Sequence, residues 1–239
     1  MPGECGFQGA FNNSLEIREA LTTNAFLPYN STMSIRSYLK APALPTEFYN
    51  REASEVAPEL LGKLLIRKAP EAICIGRIVE TEAYLSQNDP ACHAHKGLTR
   101  RNTSMFGPPG HAYVYMIHAN WCFNAVTEPA EQASAVLIRA VEPLVGIEHM
   151  QLRRGRPALL DLARGPGRLC QAFDITKDLD GWNLAQRKSL WIADDGFVAE
   201  QPIVASGRIG IRLASELPLR FFYANNRFVS GKKTSIQGP

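Results

Sequence analysis

Arg77-Ile78-Val79-Glu80-Thr81-Glu82-Ala83-Tyr84-Leu85 is the stretch on which the reading of this chain turns. With the β-branched residues before it, it predicts a long strand or bent hairpin arm over residues 73–85. Side chains two apart on a strand share a face, so Ile78, Glu80, Glu82 and Tyr84 point one way and Val79, Thr81, Ala83 and Leu85 the other. The second set reads as a core face, which leaves the first to carry two carboxylates and a phenol. Like charges about 7 Å apart favour protonation. Apolar surroundings raise a carboxyl pKa further, and such a group can serve as a general base near neutral pH. The competing reading is a half-solvated strand with two salt-bridged glutamates.

Around this strand the pattern gives a helix near residues 53–61, capped by Ser54 or Asn50 and stopped by Gly62, then a strand from Lys63 to Ile66. Residues 88–110 read as loop, punctuated by Asp89-Pro90 and Gly107-Pro108-Pro109-Gly110. Residues 112–117 and 121–127 form a hairpin across His118-Ala119-Asn120. A third strand over 135–141 ends at Pro143, and residues 144–152 are helical. A short helix follows over 168–173, with later strands over 190–192, 203–211 and 219–223. Strands outnumber helices and do not alternate with long ones, which predicts an α+β fold: one compact domain with a curved, largely antiparallel mixed β-sheet and peripheral helices. Residues 1–45 lack a clean period and read as a poorly ordered extension or a targeting segment, leaving 46–235 as the domain.

Arg139 stands inside Ala-Val-Leu-Ile-Arg-Ala-Val, apolar enough to be buried. A buried guanidinium needs anionic partners, for which Glu80 or Glu82 are natural, unless Arg139 lies on a wet strand face. Tyr113 and Tyr115 share a face, Trp121 and Phe123 follow the turn, and His93, His95, His111 and His118 lie nearby. Such rings can sandwich a flat heterocycle, or form an ordinary aromatic core. His93 and His95 with Glu82 lack the spacing of a zinc site, so no metal is expected. No dinucleotide or Walker motif occurs, so no cofactor is expected either.

The apolar fraction of 45% across 239 residues builds a core without disulfide staples. Cys5, Cys74, Cys92, Cys122 and Cys170 are odd in number and form no C-x-x-C pair, which fits a reducing, intracellular setting. Net charge is only +3, but arginines cluster over 153–168 and basic residues again over 208–233, two regions able to grip phosphate. No run of apolar residues is long enough for a membrane span.

The 77–85 strand closely resembles the strand carrying the catalytic glutamate in the alkyladenine (3-methyladenine) DNA glycosylase family. The resemblance continues through Asp89-Pro90-Ala91-Cys92-His93, Thr99-Arg100-Arg101-Asn102, Tyr113-Val114-Tyr115, Asn124 and Val136 to Pro143, and more weakly through Ala163 to Gly167, Gly207 to Ile211 and Leu219-Arg220-Phe221. It covers about residues 53–231. It implies a monofunctional enzyme, acting as a monomer, that flips a damaged purine from double-stranded DNA and leaves an abasic site. By the same resemblance Glu82 is the general base and Arg139 steadies it and its water. Tyr84 and His93 flank one face of the extruded base, Tyr115 closes the other, and Asn124 crowds the two-amino group of guanine. His118 stands at the wedge position, where the family commonly has tyrosine. Arg101, Arg164, Arg208 and Arg220 are candidates for the DNA backbone. No lysine falls in this predicted pocket, so a Schiff base and strand cleavage are not expected. Two other readings compete: a binding module without catalysis, and a small-molecule glycoside hydrolase using Glu80 and Glu82 as an acid and base pair.

Overall fold

Residues 34–231 are described in the computed structural model of the chain. Cys5, Lys232, Lys233 and most of the expected extension lie outside them. The strands are β1 (Leu64–Lys68), β2 (Ile73–Tyr84), β3 (Ala112–Ile117), β4 (Asn120–Thr127), β5 (Ser134–Val145), β6 (Leu190–Ala193), β7 (Ile203–Ser206) and β8 (Arg220–Tyr223). All join one sheet in which β2 is the spine, with β5 on one side. On its other side β2 takes β1 along its first half and β8 along its second. The hairpin β3 and β4 continues beyond β5, β6 lies beyond β1, and β7 lies beyond β8. Each of these pairings is antiparallel, and with helices at the periphery the described residues form a single α+β domain.

The helices are short: α1 (Ile35–Lys40), α2 (Thr46–Tyr49), α3 (Ala53–Glu59), α4 (Ile147–Arg154) and α5 (Pro166–Ala172). The Ser34 hydroxyl caps α1 by accepting from the Ser37 amide, and Tyr38 is buried against Leu64, Ile66, Ile75 and Trp191. The packed unit therefore starts before residue 46. Glu52, not Ser54 or Asn50, occupies the N-cap of α3, with no side-chain cap bond. After α3, Gly62 takes a left-handed φ of +85°, and its amide donates to the Ile78 carbonyl at 2.8 Å, which turns the chain onto the sheet.

Val56, Ala57 and Leu60 seat α3 on Ile78, Val79, Ala83 and Ile138, while Leu169 and Phe173 close the same cluster. Leu60, Ile78 and Ile138 are fully buried and each contributes roughly 1.5–3 kcal/mol. Here the strict alternation expected of β2 fails, because Ile78 joins Val79 and Ala83 in this core. The β2–β5 ladder pairs Ile78 with Val141, Glu80 with Ala140 and Thr81 with Ile138, so it skips Val79 on β2 and Arg139 on β5. A bulge re-aims the side chains on either side of it. From Glu80 to Tyr84 the expected parity holds.

β5 also runs through Pro143 rather than ending there. Its pairing with β4 stops at Leu137, so Pro143 stands where β5 has a strand neighbour on one side only and its missing N–H costs no central ladder bond. The strand expected over 203–211 likewise ends at Ser206 and gives way to a loop.

Candidate active site

Sheet register assembles the site. Tyr113, Asn124, Leu137, Glu82 and Arg220 follow one another across β3, β4, β5, β2 and β8. Directly opposed residues project to the same face, so five strands set these side chains in one row. Glu82 is fully buried in that row. Its Oε1 accepts from the Ile209 amide at 2.7 Å and pairs with Arg139 Nη1 at 3.0 Å, while Oε2 accepts from the Tyr84 hydroxyl at 3.0 Å. Burial pushes the Glu82 carboxyl above the usual carboxylate range. Arg139, the Ile209 amide and the Tyr84 hydroxyl pull it back without cancelling that rise, and Glu80 adds to it.

Glu80, the other carboxylate of the strand, is also fully buried but has a different set of partners. Its Oε1 takes Arg139 Nε at 3.0 Å, Arg220 Nε at 2.7 Å and the Ser230 hydroxyl at 3.0 Å, and its Oε2 takes the Ser230 amide at 2.7 Å. Three of its four donors crowd Oε1 and the fourth takes Oε2, so Glu80 is tied to Arg139, Arg220 and Ser230 inside the protein, which argues against its acting as the acid or base of a pair. Of the two effects expected to raise the Glu82 carboxyl, burial acts first and the charge of Glu80 last.

Beside the row lies an aromatic group. Tyr84 and Tyr115 pack on the cluster of Cys92, Met105, Tyr113, Val126, Ala133 and Ala135. Tyr113 and Tyr115 stack with centroids 5.2 Å apart, and His93 stands edge-on to Tyr115 at 4.4 Å, its Nδ1 hydrogen-bonded to the Tyr113 hydroxyl at 2.9 Å. Solvent reaches His93 on its outer side, yet shielding by these rings lowers its pKa below the ordinary histidine value. The rings open onto a cleft of about 840 Å3, lined among others by His93, Arg101, Tyr115, His118, Trp121 and Lys177. His118 and Ala119 form the tip of the β3–β4 hairpin, both at positive φ and both exposed, with Met116 and Ile117 exposed beside them. Among the described residues no cluster of three or more His, Cys, Asp or Glu side chains has the spacing to hold a metal ion.

Glu82, paired with Arg139, thus lies beside a group of rings that opens onto a cleft rimmed by the exposed β3–β4 hairpin tip. The family model for methylpurine-DNA glycosylase matches residues 47–227. The chain belongs to that family. A protein of Carboxydothermus hydrogenoformans named "Putative 3-methyladenine DNA glycosylase" is 48% identical over 190 residues, covering 79% of this chain and 99% of its own. Proteins of the same name from Granulibacter bethesdensis and Methanoculleus marisnigri are 49% and 47% identical, covering 80% and 78% of this chain and 89% and 98% of theirs.

For this glycosylase family member the structure redistributes the basic residues. Arg208 is not free to meet phosphate: its side chain is fully buried, with Nη1 and Nη2 each 2.6 Å from an oxygen of Asp89 and the guanidinium 4.7 Å from the Tyr84 ring centre. Arg220 is buried between Glu80, Ser206 and Ser230. Both were sequence candidates for the DNA backbone, and both are consumed by carboxylates or hydroxyls inside the protein. Arg101 is exposed on the cleft, and Arg164 is half-buried in an isolated bridge to Ala140. Lys177 does line the cleft, against the expectation of no lysine. Its Nζ lies 2.7 Å from Asp180 and donates to the Val114 carbonyl at 3.4 Å.

Asn124 is buried, its Nδ2 donating to the Tyr113 carbonyl at 3.0 Å, which fixes the side chain in the row. The sequence passed over the Ile209 amide, Ser230, Tyr113 as the partner of His93, and Lys177. Two of these act through backbone N–H groups, which no side-chain pattern marks.

Proposed function

We propose that the chain excises alkylated and deaminated purines, of the 3-methyladenine, hypoxanthine and ethenoadenine kind, from double-stranded DNA as a monofunctional glycosylase. The observation that carries the reading is the state of Glu82. Oε1 already has two donors, whereas Oε2 has only the Tyr84 hydroxyl and keeps one lone pair for a water. That water, oriented by Glu82 and Arg139, attacks C1′ of an extruded nucleotide. The N-glycosidic bond breaks, the base leaves with the bonding electrons, and Glu82 takes the proton of the water. As the sugar gains oxocarbenium character, the ionised carboxylate stabilises its charge. Alkylated bases leave more readily because they are already cationic, and aromatic faces favour a cation by about 0.5–2 kcal/mol.

Tyr84, His93 and Tyr115 supply those faces, and Asn124 disfavours guanine by crowding its two-amino group. A base held between two rings needs roughly 7 Å between them, twice a carbon contact distance. The 4.4 Å between the edge-on rings of His93 and Tyr115 is shorter, so the two rings part as the base enters. The chain is proposed to act as a monomer in a reducing, intracellular setting, to which the buried free cysteines Cys74, Cys92, Cys122 and Cys170 are suited.

Duplex oligonucleotides with one hypoxanthine or ethenoadenine, treated with the protein and then with alkali, test the reading. Strand breaks appear only after alkali; breaks without alkali overturn the monofunctional assignment. His118 offers the gap a smaller ring than tyrosine does, so His118→Tyr binds an abasic-site duplex several-fold more tightly. Equal or weaker binding removes His118 from the wedge. Arg101→Ala weakens binding of all duplexes and lowers the slope of log affinity against log salt by about 1. An unchanged slope takes Arg101 off the phosphate path.

A further inference from the structure

We propose that Glu80 and Ser230 form a buried clasp that positions Arg139 against Glu82, so that docking of the Phe228–Ser230 segment completes the catalytic pair. This rests on the reading of Glu82 as the base. Ser230 lies beyond residues 47–227, the part matched by the family model.

The fork of Arg139 is held on three sides. Nε donates to Glu80 Oε1 at 3.0 Å, Nη2 donates to the Ser230 hydroxyl at 3.2 Å, and Nη1 meets Glu82 Oε1 at 3.0 Å. A planar guanidinium fixed at Nε and Nη2 has no rotation left about its last bond, so its third edge is aimed. Ser230 in turn is fixed to Glu80 through both its amide and its hydroxyl, and its carbonyl accepts from Arg220 Nη2 at 3.1 Å. Glu80, Arg139, Arg220 and Ser230 are each at most 6% exposed, so water does not substitute for a lost partner. The ladder irregularities at Val79 and Arg139 flank this network, in which Glu80 and Arg139 meet, while Val79 turns into the core.

A buried ion network is a weak source of net stability, since desolvation offsets much of the attraction. Fixing one guanidinium edge is a task that justifies its geometry. Glu80 and Ser230 are thus positioning residues.

Ser230→Ala is the cleanest probe, because it removes one anchor and leaves every charge. The groups facing Glu82 are Arg139 from β5, Glu80 and Tyr84 from β2, Cys122 from β4 and Arg208 from the loop after β7. Of these groups Arg139 and Glu80 bond the Ser230 hydroxyl, and of those two only Arg139 pairs directly with Glu82. Single-turnover excision, measured against pH beside a melting curve and the affinity for abasic-site duplex, should slow about 3- to 10-fold, as expected for one lost hydrogen bond. The acid limb should move to higher pH, since a loosened Arg139 stabilises the Glu82 carboxylate less, while DNA affinity stays the same. Glu80→Gln should slow excision more, again with DNA affinity retained. A lower melting temperature with parental rate and pH profile in both folded variants overturns the clasp. Glu82→Gln, run in parallel, separates the failures: if it stays active the catalytic reading itself has failed, and if it is inactive while Ser230→Ala is unchanged only the clasp has.

Discussion

Glu82→Gln is expected to reduce single-turnover excision by about 10²- to 10⁴-fold, the range that a positioned general base supplies. The substitution keeps the shape and an acceptor but removes the negative charge that Oε2 offers to water and sugar. DNA affinity should change little, because Glu82 is buried behind Tyr84 and touches no phosphate path. Retention of activity within a few-fold of the parent would sink the mechanism. The parent also carries a pH signature. Burial raises the Glu82 pKa above its ordinary value of about 4.3, and the base works only when ionised. Excision therefore falls as pH drops through that raised pKa, so the acid limb lies above the range of a free glutamate. Stability has the opposite sign: a carboxyl whose folded pKa exceeds its unfolded one binds protons more strongly when folded, so its contribution weakens as pH rises through the same window. Above that window the buried, ionised carboxyl is a cost to stability.

Arg208→Ala is expected to destabilise the protein by about 3–5 kcal/mol, because it strands the Asp89 carboxylate without its fully buried partner. For a domain of this size that lowers the melting temperature by roughly 6–20 °C. Burial opposes the charged form of Asp89, but the Arg208 hydrogen bonds, the Leu85 and Ala91 amides and the charge of Arg208 outweigh it and hold the carboxyl below its usual range. The stability this pair contributes is present above the unfolded Asp pKa of about 3.9 and is lost as pH falls through the lower folded value. Adding Asp89→Asn to an Arg208→Met background should cost less than the sum of the two single changes, since the stranded charge is gone. A loss below about 1 kcal/mol contradicts a structural role. A flatter salt dependence of DNA binding in Arg208→Ala would return the residue to the phosphate path it was first given.

These two residues mark the limits of what residue order shows. That a carboxylate of this strand pairs with Arg139 was legible because an arginine in an apolar run demands an anion, but the strand pattern left Glu80 and Glu82 as equal candidates and only the family resemblance chose Glu82. Arg208 and Arg220 misled because a basic residue in a glycine-rich or aromatic stretch carries no mark of its partner. Asp89 is 119 residues from Arg208, and Glu80 is 140 from Arg220. Only folding brings them within hydrogen-bond reach.

The sequence alone determined the local periods and with them most strands, the hairpin at His118, the short helices and the family. Those follow from side-chain alternation, turn chemistry and motif order, which are properties of neighbouring residues. The tertiary structure decided the bulges that move Ile78 into the core, the passage of β5 through Pro143, and the different partners of Glu80 and Glu82. Register, desolvation and the donors reaching a carboxylate depend on strands far apart in the chain, so no local pattern encodes them.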